Sequence, residues 1–352
     1  MILSGSDTRP PWAEQRVLVT GGAGAIGSNL CRRLLGLGAR VIVLDDLSAS
    51  VPWNLPSHPR LAFVRGDILH RDALEEAFAP DPTVVFHLAA LFANQNSVEH
   101  PEEDLQVNGL GTLRVFRRCA AAGVRRVVFA SSGCSIYGDR PERPLTEDLV
   151  SLQLSTPYQV TKMLGELYAQ QLRHQVGLPV VVARLFNSFG PWDPPGRYRN
   201  VIPNFFWRAL HGLPLPITGT GDETRDFTYV DDVVDGLLRC ASTPGVEGEA
   251  FNLASGQETR IGDLALRINA LCGNDAGLVQ LPRRDWDTKT TLLASIDKAR
   301  DRLGYAPTWA LQPGLEQCRA WFGEHWDRLA RDPRFGAPST AVHAGTSAAP
   351  TA

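Results

Sequence analysis

Arg16-Val17-Leu18-Val19-Thr20-Gly21-Gly22-Ala23-Gly24-Ala25-Ile26-Gly27 begins as a short run of valine and leucine, which reads as a buried parallel strand. Glycines follow at 21, 24 and 27, and then a helical pattern (Leu30, Leu34, Leu35, Leu37) that stops at Gly38. A strand–turn–helix of this kind can bring backbone N–H groups and a helix N-terminus against a diphosphate. The spacing is G-x-x-G-x-x-G rather than G-x-G-x-x-G. A second strand, Arg40-Val41-Ile42-Val43-Leu44, ends in Asp45-Asp46. An acid there accepts hydrogen bonds from an adenosine ribose and repels a 2′-phosphate, which favours NAD over NADP. Alone, the glycines would suit an ordinary turn; with these flanks they read as a dinucleotide site.

Outward from this unit, strands alternate with helices. Strand patterns fall near 16–20, 40–45, 61–65, 83–88, 125–131 and 180–186, with helical patterns near 25–37, 70–79, 101–122 and 157–175. The alternation predicts βαβ units in an α/β fold, a parallel sheet with helices on both faces. After Asn187 the texture changes. A proline-rich loop spans Pro191 to Pro195, a polar turn runs from Gly219 to Glu223, and helical stretches near 231–242 and 261–272 are separated by loops. The expected division is an N-terminal extension (1–15), a dinucleotide-binding domain (16–187) and a smaller C-terminal substrate-binding lobe (188–330). Some elements of that lobe are expected to return to the main sheet. From 331 to 352 the Ala/Pro/Ser/Thr-rich tail cannot bury enough apolar area to order itself.

Tyr158 and Lys162 lie four positions apart in a helical stretch and share one face. A free tyrosine has a pKa of about 10 and is a poor base near neutrality. A neighbouring ammonium favours the phenolate. Upstream, the strand Val127-Val128-Phe129-Ala130 empties into Ser131-Ser132-Gly133-Cys134-Ser135, at the end of the sheet where such folds place their ligands. A serine here can hydrogen-bond a substrate hydroxyl that Tyr158 deprotonates. Ser132 is the first choice; Ser131 and Ser135 remain open.

Together these residues carry a resemblance. The chain resembles the extended short-chain dehydrogenase/reductases, within them the nucleotide-sugar epimerase/dehydratase family, and most of all its UDP-glucose (UDP-galactose) 4-epimerase group, from about Arg16 to Phe322. The resemblance implies a Rossmann-type doubly wound sheet and NAD held by Gly21, Gly24, Ala25, Ile26, Gly27, Asp45 and Asp46. It adds Asp67 and Ile68 at the adenine, Leu88, Ala89 and Ala90 after the fourth strand, Asn108 near the nicotinamide, and Tyr158 with Lys162. It implies catalysis by Ser132, Tyr158 and Lys162. For a nucleotide-diphosphate sugar, UDP-hexose favoured, it implies contacts from Ser132, Asn187, Asn200, Val201, Arg225 and Arg284. It also implies a homodimer built on the 101–122 and 157–175 helices.

One departure bears on the reaction. Related 4,6-dehydratases carry an Asp-Glu pair just after the strand hydroxyl, and decarboxylating relatives a glutamate; here Gly133-Cys134-Ser135 has no carboxylate. Elimination of water needs an acid and a second base, so the pattern favours NAD-dependent epimerisation at C4 through a transient 4-keto sugar. Dehydration, decarboxylation of UDP-glucuronate, and a non-catalytic NAD-binding sensor are the competing readings. The remaining features are bland. A net charge of −3 gives no basic field for nucleic acid. Six scattered cysteines suggest reduced thiols in the cytoplasm. No apolar run has membrane length and no histidines have metal spacing. His87 reads as a hydrogen-bonded core residue, Cys134 as no nucleophile, Trp286 and Trp309 as packing or pocket walls, and Arg125-Arg126 as a solvated turn.

Overall fold

Successive residues of a strand point to opposite faces, so a strand that is apolar throughout must be covered on both sides. In β1 (Arg16–Thr20) Val17 and Val19 enter one core and Leu18 the other; in β2 (Arg40–Asp45) Val41 and Val43 oppose Ile42 and Leu44. The structure, a computed structural model, describes residues 12–140 and 142–335; the expected extension up to residue 11 and the tail from 336 lie outside the described residues. Five further strands complete the main sheet: β3 (Leu61–Arg65), β4 (Val84–His87), β5 (Arg126–Ser132), β6 (Val180–Leu185) and β7 (Ala250–Leu253). Their order is β3-β2-β1-β4-β5-β6-β7 and every pair is parallel. The chain therefore winds one way from β1 to β3 and the other way from β4 onward. The reversal opens a crevice beside β1, where doubly wound sheets bind their ligands.

Helices cover both faces. On one side lie α1 (Ala25–Gly36), and later in the chain α5 (Val201–Leu210), α6 (Val230–Ser242), α7 (Ile261–Cys272) and α8 (Leu311–Arg331). On the other lie α2 (Arg71–Phe78), α3 (Thr112–Ala122) and α4 (Pro157–Val176). The helix expected over 101–122 is built from three pieces, Pro101–Asp104, a π-helical segment Leu105–Gly111, and α3. Between 188 and 330, β7 returns to the main sheet beside β6. Smaller pairs, Leu215–Thr218 with Leu278–Leu281 and Thr224–Asp226 with Glu258–Arg260, stand outside it. Of the expected tail, only residues 331–335 are described. Helix α8 runs to Arg331, and a turn of 3-10 helix follows at Pro333–Phe335.

Helix α4 carries the central residues, and its start is fixed locally. Thr156 caps it by accepting from the N–H of Gln159 at 3.4 Å, and Pro157 occupies the first helical position, where its missing N–H costs nothing. Glu166, one turn beyond Lys162, meets Arg184 of β6 in a bidentate pair (Nε–Oε1 3.0 Å, Nη2–Oε2 2.7 Å) and accepts from Ser131 Oγ at 2.6 Å. Both side chains are largely buried. Removing one partner of such a pair strands the other charge, so Glu166→Ala should destabilise the fold by about 3–5 kcal/mol, read by urea unfolding.

Arg126 corrects the expected solvated turn. It is buried, with its guanidinium on Glu247 at 2.5 Å and on the carbonyl of Thr243 at 3.1 Å.

Candidate active site

The glycine turn is a steric requirement. At Gly21 (φ +71°) an added Cβ would meet the backbone N of Ala89 at 2.7 Å, and at Gly27 it would meet the carbonyl oxygen of Gly21 at 2.3 Å. The turn thus packs β1 against the segment after β4 and against the start of α1, with no room for side chains. No side chain caps α1, so the N–H groups of its first turn are left for a ligand. Gly21, Gly24, Ala25, Ile26 and Gly27 all line one cavity of about 1030 Å³. Asp45, Asp46, Asp67, Ile68, Leu88, Ala89 and Ala90 line it too. Asp45 accepts from the N–H of Ala23 at 2.9 Å, the N–H of Leu47 at 2.9 Å and Ser50 Oγ at 2.8 Å, which holds the loop after β2 against the turn. These donors and the two acids fit the diphosphate and ribose of NAD.

Asn108 stands apart from the other expected cofactor residues. It is buried behind the cavity wall. Its Oδ1 accepts from the N–H of Leu91 at 2.9 Å, and its Nδ2 donates to the Leu91 carbonyl at 3.0 Å and to Asp104 at 2.6 Å. It shapes the lining segment rather than facing into the cavity. His87 is the core histidine expected: its ring nitrogens meet Thr20 Oγ1 at 2.7 Å and Thr112 Oγ1 at 3.0 Å, and burial pushes its pKa down to about 3.

Ser132, Tyr158 and Lys162 converge on the same cavity from β5 and α4. The three serines all line the cavity and differ in their partners. Ser131 Oγ is committed to Glu166. Ser135, fully buried, donates to Ser132 Oγ at 3.0 Å, which leaves the Ser132 hydroxyl proton free to point into the cavity. Among the described residues nothing hydrogen-bonds the Tyr158 hydroxyl, and the phenol is 6% exposed. Lys162 Nζ donates to the Ala130 carbonyl at 3.1 Å and lies 5.5 Å from the centroid of the Tyr158 ring. Burial, with smaller contributions from Cys134 and Asp104, pushes the Tyr158 pKa up, so the resting residue is a neutral phenol. Burial also pushes Lys162 down to about 8, partly opposed by Asp104. Burial raises the Cys134 thiol, as expected for a cysteine that is no nucleophile.

Asn187, Asn200, Val201, Arg225 and Arg284 line the far part of the cavity. Asn187 sits at positive φ (26°) and donates to the Asp226 carbonyl at 3.1 Å, which ties the end of β6 to the Arg225 strand. Arg225 faces Asp287 at 3.3 Å, and the Arg284 guanidinium lies 5.4 Å from the ring centroid of Trp286, itself a wall residue. Trp309 instead packs on Tyr229, centroids 4.2 Å apart. Several wall residues are not marked in the sequence, three of them from distant segments. Lys289, Arg334 and Phe335 all reach the cavity, and Arg334 donates to the Ser50 carbonyl at 3.0 Å beside the Asp45 loop. No local pattern marks them, because loop and terminal segments bring them in. Among the described residues no group of side chains could hold a metal ion.

The doubly wound sheet, glycine turn, paired acids and Ser/Tyr/Lys set together define a nicotinamide-dinucleotide enzyme of the short-chain dehydrogenase type. The chain belongs to the NAD dependent epimerase/dehydratase family, whose profile matches residues 17–254. It is 37% identical over 310 residues to a UDP-glucose 4-epimerase of Mycolicibacterium smegmatis, covering 87% of this chain and 98% of that one. Among solved structures it is similar to an epimerase from Methanothermobacter thermautotrophicus (52% identity, TM-score 0.89, 90% of this chain and 94% of that one). It is also similar to the UDP-glucose 4-epimerase of Thermotoga maritima solved with UDP-glucose (31% identity, TM-score 0.84, 89% of this chain and all of that one).

Proposed function

We propose that the protein inverts C4 of a UDP-hexose through a transient 4-keto sugar. Tyr158, as phenolate, takes the proton of the sugar hydroxyl; Ser132 hydrogen-bonds the same oxygen and helps relay the proton, with Ser135 orienting it. NAD, when bound, supplies the reversible hydride acceptor and a positive charge. Arg225 and Arg284 present guanidinium forks suited to the diphosphate, and Asn187, Asn200 and Val201 complete the wall around it.

The observation that carries epimerisation over elimination is the charge around Tyr158. Among the described residues the one carboxylate whose charge reaches the phenol is Asp104, and it is occupied by Thr161 Oγ1 at 2.7 Å and Asn108. The segment after Ser132, Gly133-Cys134-Ser135, likewise offers no carboxylate to expel water. The expected outcome with UDP-glucose or UDP-N-acetylglucosamine is an epimer of unchanged mass and no net change in NADH absorbance. Loss of water or carbon dioxide would instead make the enzyme a dehydratase or decarboxylase. Firm NAD binding with no turnover of any nucleotide sugar would leave the sensor reading.

The pH dependence follows from the Tyr158–Lys162 pair. Below about pH 8 both groups hold their protons, and Tyr158 cannot accept another. Raising the pH removes one proton from the pair, and the reactive form keeps the remaining one on Lys162. Turnover should therefore rise with pH and level off with an apparent pKa that belongs to the pair. In Lys162→Met the rise should move to higher pH and kcat should fall roughly 10²–10⁴-fold.

The same reading includes a cytoplasmic homodimer with no nucleic-acid partner. All six cysteines are unpaired, and no helix among the described residues is long and apolar enough to cross a membrane. Leu105 and Leu110 on the segment leading into α3, and Val160 and Leu167 on α4, are about half exposed, an apolar face that a second copy would cover.

A further inference from the structure

Lys289 is a cavity cation for which the proposed reaction has no use. Its Nζ donates to the carbonyl of Cys134, two residues beyond Ser132, and both residues line the cavity. That bond holds Lys289 beside the segment that follows Ser132 at the end of β5. Lys289 is thus at the sugar end, where the chemistry occurs. Among the described residues it forms no ion pair. The charges that reach it are Asp139, which is exposed and accepts from Thr288 Oγ1 at 2.7 Å, and two further cations, Arg225 and Arg143. Burial and those cations push its pKa down. A part-buried ammonium crowded by guanidinium groups lacks a counter-anion, and a neutral sugar would not provide one.

A nucleotide sugar offers two kinds of anion. The diphosphate has Arg225 and Arg284 to meet it, and the catalytic hydroxyls lie elsewhere on the sugar. We infer that the sugar itself carries a carboxylate, that the substrate class is a UDP-hexuronic acid, and that Lys289 is the residue that reads it. The inference rests on the epimerase reading and narrows it. A carboxylate against Lys289 gains a charge-assisted hydrogen bond and relieves the repulsion from Arg225 and Arg143.

The test compares wild type with Lys289→Met on UDP-glucuronate, UDP-glucose and UDP-N-acetylglucosamine. Products are followed by chromatography and mass, and UDP binding by calorimetry. Wild type should prefer the uronate. Lys289→Met should lower kcat/KM for the uronate by roughly a hundredfold while neutral sugars and UDP binding change little, and Lys289→Arg should recover part of the loss. An equal loss for UDP itself would make Lys289 a phosphate ligand and overturn the inference. Unchanged uronate kinetics in Lys289→Met, or a wild type that turns over only neutral sugars, would also overturn it. A wild type that epimerises no nucleotide sugar would instead count against the epimerase reading.

Discussion

Tyr158→Phe is expected to cut turnover by roughly a thousandfold or more while leaving NAD bound and the fold intact. Loss of a buried hydroxyl usually strands its partner. Here no described group bonds the Tyr158 hydroxyl, so the substitution removes the proton acceptor and little else. The ring itself is retained, including its edge contact with Phe92 (centroids 6.0 Å apart). Melting temperature should match wild type, and bound NAD, measured after desalting and acid release, should stay stoichiometric. A Tyr158→Phe enzyme that works at full rate would sink the assignment of Tyr158 as the base. One that unfolds would show that the hydroxyl has a structural partner.

Gly27→Ala is expected to abolish cofactor binding and to weaken the fold by about 1–3 kcal/mol, the usual cost of overpacking. The added methyl would lie 2.3 Å from the Gly21 carbonyl oxygen and 2.7 Å from the Gly22 Cα, and both are backbone atoms that cannot swing aside. Relief requires α1 to back away from the turn, which removes its N-terminus from the cavity. Gly36→Ala at the other end of the same helix is the control. Nothing lies within 4 Å of its added Cβ, so it should be neutral or stabilise by up to about 1 kcal/mol. Retained NAD in a normally folded Gly27→Ala protein would contradict this account of the turn.

The contrast between these two glycines shows what local sequence can carry. The strand–turn–helix at 16–36, the acids closing β2 and the helical pairing of Tyr158 with Lys162 are all set by short-range spacing. They were legible before any coordinates. Four things were not. The state of Tyr158 depends on burial, which pushes the phenol pKa up and which spacing alone does not reveal. The choice among Ser131, Ser132 and Ser135 depends on where each hydroxyl points at the end of β5, and Glu166 decides that from another element. Arg126, read beside Arg125 as a surface pair, is buried because Glu247 arrives from a distant loop. The far cavity wall, Lys289 and Arg334 included, is made by segments with no periodic pattern. Function was therefore readable as a class of chemistry, while substrate preference had to come from the wall.

The measurement that bears most directly on the central claim is the fate of deuterium placed at C4 of the substrate. UDP-hexose labelled at that carbon should give an epimer of unchanged mass that retains the deuterium at C4, with none lost to solvent over many turnovers. Deuterium washed out into water, or a product lighter by water or carbon dioxide, would contradict the account.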